Sequence, residues 1–79
     1  MERGIITIDL HGKTGYQAKV AIDAQLRRVS GATYRIRLIH GFHGGTVLRD
    51  MIRSEYAQHP QVRRLDIGSG STELVLREF

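Results

Sequence analysis

Apolar residues recur with two different periods along this chain, and the changes of period divide it into strands and helices. Ile5-Ile6-Thr7-Ile8-Asp9-Leu10 is short, β-branched and halted by His11-Gly12, which predicts a first strand. Thr14 and Gln17 have the spacing of a capping box. Ala18, Ile22, Leu26 and Val29 then recur at helical intervals, predicting a helix over roughly 15 to 29 that Gly31 ends. Tyr34 to Ile39 alternates with period two. After the turn-rich His40-Gly41-Phe42-His43-Gly44-Gly45, a second helix carries Val47, Leu48, Met51, Ile52 and Tyr56. It is expected to end near His59, because Pro60 disfavours helical geometry in the residue before it. Val62 to Ile67 and Thr72 to Arg77 read as two further strands, joined by Gly68-Ser69-Gly70-Ser71 in a hairpin.

The resulting order is β-α-β-α-β-β. Strands that alternate with helices are parallel and joined by right-handed crossovers, whereas the hairpin adds an antiparallel partner, so the sheet is mixed and four-stranded. Ile6, Ile8 and Leu10 share one parity, as do Tyr34, Ile36 and Leu38, Leu65 and Ile67, and Leu74 and Leu76. The other parity carries Thr7, Asp9, Arg35, Arg37, Arg64, Asp66, Glu73 and Arg77. Both helices are therefore expected on one face of a two-layer α/β sandwich, leaving several arginines on the bare face.

Composition narrows the class. Seventy-nine residues suffice for a single domain, 1–79, burying roughly 60–65% of its unfolded surface. Without cysteine there is no disulfide framework and no Cys-based zinc or redox site. No apolar run approaches the length of a membrane span, and the first residues lack a signal-peptide pattern. A soluble, cytoplasmic protein that does not engage membranes is the expectation. Twelve basic residues against eight acidic give a net charge of +4, and ten of the twelve are arginine, whose planar fork suits phosphate. The same charge also serves plain solubility, so it admits a polyanionic partner without requiring one.

Chemistry concentrates at the ends of the first two strands, where open α/β sheets commonly bind ligands. Asp9 and His11 are two residues apart and leave the first strand on the same side, and His40 closes the second strand. An imidazole can move a proton at neutral pH. An ionised aspartate can orient it or hold a divalent cation, and these are the parts of a phosphodiester hydrolase. The competing reading has Asp9 capping a loop and the histidines satisfying buried backbone groups. Gly44-Gly45 before the second helix, with Arg49 one turn in, offers a phosphate cradle. Glycines at such a turn also serve positive φ alone, and His43 is either a phosphate donor or a solvated loop residue.

Ile8-Asp9-Leu10-His11-Gly12, then His40-Gly41 opening a glycine-rich loop, then Leu48-Arg49, resemble the Smr (small MutS-related) domain in its stand-alone form. His59-Pro60 and the glycine-rich turn running from Gly68 to Thr72 extend the resemblance over nearly the whole chain. His43 stands where the common second motif has a glycine, and one extra residue precedes the Leu-Arg pair. The resemblance implies the same β-α-β-α-β-β sandwich and binding of DNA or RNA, branched or single-stranded. It further implies metal-assisted nicking or cleavage, with Asp9, His11 and His40 as the catalytic residues. Mg²⁺ or Mn²⁺ is the expected ion, with its ligands left open. Arg35, Arg37, Gly41, His43, Gly44, Gly45 and Arg49 are the candidates for holding nucleic acid. The alternatives are a binding module of this fold without turnover, and a protein-interaction domain using the bare sheet face or an edge strand.

Overall fold

The computed structural model describes residues 4–41 and 45–78, and it has the expected element order. Strand β1 (Ile5–Asp9) leads to helix α1 (Gly15–Arg28), strand β2 (Arg35–Ile39) to helix α2 (Gly45–Tyr56), and strands β3 (Arg64–Ile67) and β4 (Ser71–Val75) close the chain. The sheet order is β1-β2-β4-β3. β1 and β2 are parallel, with Asp9 opposite Ile39, and β4 lies antiparallel to both β2 and β3.

Local chemistry explains the boundaries. Thr14 and Gln17 form the capping box: the Thr14 hydroxyl accepts from Gln17 N–H at 3.1 Å and the Gln17 side chain accepts from Thr14 N–H at 3.0 Å. α1 stops when Val29 turns extended, its N–H still bonded to Gln25 O. α2 ends at Tyr56, three residues before the sequence expectation. The turns that prepare Pro60 begin earlier: His59 N–H donates to Tyr56 O at 3.1 Å, and the His59 ring accepts from Gln61 N–H at 3.1 Å. No helix among the described residues is long and apolar enough to cross a membrane.

One cluster holds the layers together. Ala18, Ile22 and Leu26 of α1 and Leu48, Ile52 and Tyr56 of α2 meet Leu10, Ile36, Leu38 and Leu74 from the sheet, so both helices cover the face that parity assigned to them. Tyr56 also carries a polar clamp between the helices. Its hydroxyl donates to Asp23 at 2.6 Å, and Lys19 bridges Asp23 and Glu55 at 3.2 and 3.3 Å. Burial alone would push the Asp23 carboxyl up, but the hydrogen bonds from Tyr56 and Lys19 outweigh it and hold the group below its usual range.

Two positions depart from the alternation. Ile67, the last residue of the edge strand β3, is 41% exposed, because no strand covers its outer side. Val75 has the parity of the open face yet is fully buried, standing in register between Arg35 and Arg64, whose long aliphatic stems flank it.

Leu38→Ala is expected to cost about 2–5 kcal/mol, because it empties a site buried from both sides. Ile8→Ala, on the half-covered edge strand, should cost less, and Arg37→Ala no more than about 1 kcal/mol. Denaturant midpoints of the three variants check the order; an Arg37→Ala loss equal to that of Leu38→Ala would contradict the assignment of faces.

Candidate active site

The end of β1 is shaped by a short run of backbone bonds. Leu10 N–H donates to Ile39 O at 2.7 Å, keeping β1 against β2 beyond its last strand residue, and Lys13 N–H then closes a turn onto Leu10 O at 2.9 Å. Gly12 sits inside that turn with φ +81°, and an added Cβ would meet nothing within 4 Å, so the backbone conformation rather than lack of room calls for glycine. The turn swings His11 back toward Asp9. Asp9 Oδ1 accepts the His11 backbone N–H at 3.0 Å and lies 3.9 Å from His11 Nδ1. Both side chains are open to solvent, 66% and 77% exposed. The backbone bond fixes the spacing of the carboxylate and the imidazole, while both side chains stay within reach of a substrate.

His40 stands at the same end of the sheet but on the other side of it. Continuing the register one step past Asp9 and Ile39 sets His40 beside Leu10, and like Leu10 it faces the core, only 2% exposed. A carbonyl can only accept, so His40 Nδ1–H donates to Gly41 O at 3.1 Å. Nε2 shares a second hydrogen bond, of 3.1 Å, with the Thr72 hydroxyl. Gly41, with φ +82°, turns the chain away, and both His40 N–H and Gly41 N–H donate to Gly70 O, at 3.2 and 3.0 Å. Asp9 and His11 are thus brought together, and His40 is fixed in the core by Gly41 and Thr72.

Gly45 opens α2, and Arg49 lies one turn in, its Nε buried and without a hydrogen-bond partner among the described residues. His43 and Gly44 lie outside the described residues. Among those described, no three His, Cys, Asp or Glu side chains converge as a metal cage, and both ring nitrogens of His40 are taken. Asp9 therefore offers a single carboxylate, and an Mg²⁺ or Mn²⁺ ion there would depend chiefly on water and substrate phosphate for its other ligands.

The arginines of the open face are engaged with carboxylates. Arg35 contacts Glu73 at 2.7 Å and Asp66 at 3.3 Å, and Arg37 Nε contacts Glu73 at 3.1 Å. The hydrogen bond from Arg35, reinforced by Arg37, holds the Glu73 carboxyl below its ordinary value against the opposing effect of burial. This face is a charge-compensated lattice, and a phosphate reaching Arg35 or Arg37 has to compete with Glu73.

The model of the Smr domain family matches residues 8–74, from the end of β1 into β4. The chain belongs to the Smr domain family. Its fold is similar to the crystal structure of the Smr domain of Thermus thermophilus MutS2, with a TM-score of 0.80 and 28% sequence identity over 92% of this chain and 99% of that one. No curated protein matches the sequence. Smr domains are in general nucleic-acid-binding modules, a partner class that the chain's excess of arginine admits.

Two residues of this Smr domain escaped the sequence reading of the site. Thr72 reads as the first residue of a strand, yet it occupies a core-facing position alongside Leu74, and a polar side chain at such a position signals a buried partner. Glu73 reads as a surface residue. Its signal was opposite charge at matching parity, since it pairs in register with Arg37.

Glu73 gives a test with a defined sign. Because its carboxyl is more acidic in the folded state, its contribution to stability is fully present above the ordinary glutamate pKa and is lost as pH falls through the lower folded value. Thermal melting between pH 7 and 2 should show a shallower acid limb in Glu73→Gln than in the parent; superimposable acid limbs would contradict the Arg35–Glu73–Arg37 network.

Proposed function

We propose that this Smr domain binds nucleic acid and hydrolyses a phosphodiester at the Asp9–His11 edge. The observation that carries the reading is the exposed pair itself: a carboxylate and an imidazole 3.9 Å apart, held by the turn at Gly12 at the carboxyl end of a parallel strand. His11 in its neutral form takes the proton of the attacking water or hydroxyl and returns it to the leaving oxygen. Asp9 stabilises the imidazolium that exists between those two events. A bound Mg²⁺ or Mn²⁺ would supply charge to the phosphate oxygens. Arg49 and the opening of α2 at Gly45 are the candidates for holding the phosphate in line.

In this reading His40 is a positioning residue. It is buried, and it acts by anchoring Gly41, from which the glycine-rich loop departs. Its burial also favours a second reading, a binding module without turnover, since two accessible groups rather than three remain at the edge.

Labelled single-stranded, duplex and branched DNA and RNA, incubated with the protein in the presence and absence of Mg²⁺ or Mn²⁺, separate the two. Asp9→Asn and His11→Ala should each lower cleavage by about 10² or more while keeping the melting temperature and leaving affinity within a few fold. His40→Ala should lower the melting temperature as well, because it strands the Thr72 hydroxyl in the core. A parent that binds and cuts no substrate, or Asp9 and His11 variants that cut like the parent, would leave the binding module as the function.

A further inference from the structure

If the open-face arginines are neutralised by Glu73 and Asp66, and Lys19 by Asp23 and Glu55, the excess positive charge of this domain must act elsewhere. Arg27, Arg28, Arg63 and Arg77 are all exposed, and none forms a salt bridge with a described carboxylate. They gather at one end of the molecule. Arg27 and Arg28 finish α1, Arg63 precedes β3, and Arg77 follows β4, whose last residue, Val75, pairs with the first residue of β2. This is the end of the sheet opposite Asp9 and His11.

A groove of about 650 Å³ opens there, its lining shared between apolar residues and polar ones, among them Ser30, Thr33, Gln61, Arg63 and Arg77. Its walls are tied together rather than loose. The Gln61 side-chain amide donates to Leu26 O at 3.0 Å, Arg63 N–H to Val75 O at 2.8 Å, and Leu76 N–H to Tyr34 O at 2.8 Å. Thr33, only 8% exposed, lies low in the lining, and the Ser30 Oγ, which accepts Ala32 N–H at 3.2 Å, keeps its own proton to donate. The nearby carboxylate of Glu78 is already held by Arg64 at 2.6 Å. What remains is a preformed slot with guanidinium groups on its wall and a free hydroxyl donor, the chemistry that recognises phosphodiester oxygens.

We propose that this groove binds the phosphate backbone of the same nucleic acid that reaches the Asp9–His11 edge, as a second contact remote from the reacting groups. The inference rests on the nucleic-acid reading above. The two sites are separated by the length of β1 and β2, five residues each, or about 16 Å. At about 3.4 Å per nucleotide along one strand of a duplex, that is roughly five nucleotides. One strand can therefore lie along the domain and touch both ends.

The test is a salt titration of affinity for a single-stranded and a duplex oligonucleotide of about ten nucleotides, using the parent, Arg63→Gln, Arg77→Gln and the double variant. Lys19→Gln serves as a control that removes the same unit of charge elsewhere. Each groove substitution should flatten the plot of log affinity against log salt by about 0.7–0.9, and the double variant should bind on the order of tenfold more weakly at physiological salt. Lys19→Gln should keep the parent's slope. Amide resonances of Ser30, Gly31 and Gln61 should also shift when oligonucleotide is added. Groove variants indistinguishable from Lys19→Gln, or shifts confined to the Asp9–His11 edge, would overturn the groove while leaving the nucleic-acid reading standing. A parent that binds no oligonucleotide at any salt would overturn both.

Discussion

Strand β2 is hydrogen-bonded on both sides, to β1 and to β4, so none of its residues can exchange one face of the sheet for the other. That constraint organises the molecule. Ile36 and Leu38 are committed to the helices, and Arg35 and Arg37 to the open side, where they recruit Glu73. The same alternation carries one residue past the strand, which is why His40 enters the core beside Leu10 while Asp9, one step earlier on the neighbouring strand, stays in solvent. The division of labour between an accessible pair and a buried histidine follows from parity before any chemistry is considered.

Glycine completes the arrangement at two points. Gly12 and Gly41 both have φ near +80° and follow histidines at the ends of adjacent parallel strands, each turning the chain at the level where the sheet stops. A side chain at either place would impose left-handed strain on a bend that fixes its neighbouring histidine. Motif residues that read as a string in the sequence are in this sense two separate devices, a turn that aims His11 outward and a turn that leaves His40 behind.

Much of this was legible beforehand. The capping box of Thr14 and Gln17 is a local signal and was read with its boundary. The inward parity of Ile36, Leu38 and Leu74 needed only period-two counting, and the Asp-Leu-His-Gly and His-Gly motifs indicated the family. What the sequence concealed was non-local. Whether a histidine at a strand end is exposed depends on the partner that meets it, and Thr72 lies 32 residues away. Nor does counting arginines reveal which are compensated: Arg35 and Arg63 look alike until strand order brings Glu73 beside the first and leaves the second at a groove.

The carbonyl of Gly70 accepts from two consecutive amides, those of His40 and Gly41. These protons belong kinetically to the β3–β4 turn rather than to the strand that carries them. When that turn opens locally, both become exchangeable with solvent together, without any need for the central sheet to melt. The backbone of His40 and Gly41 is therefore tied to the stability of a hairpin turn remote in sequence.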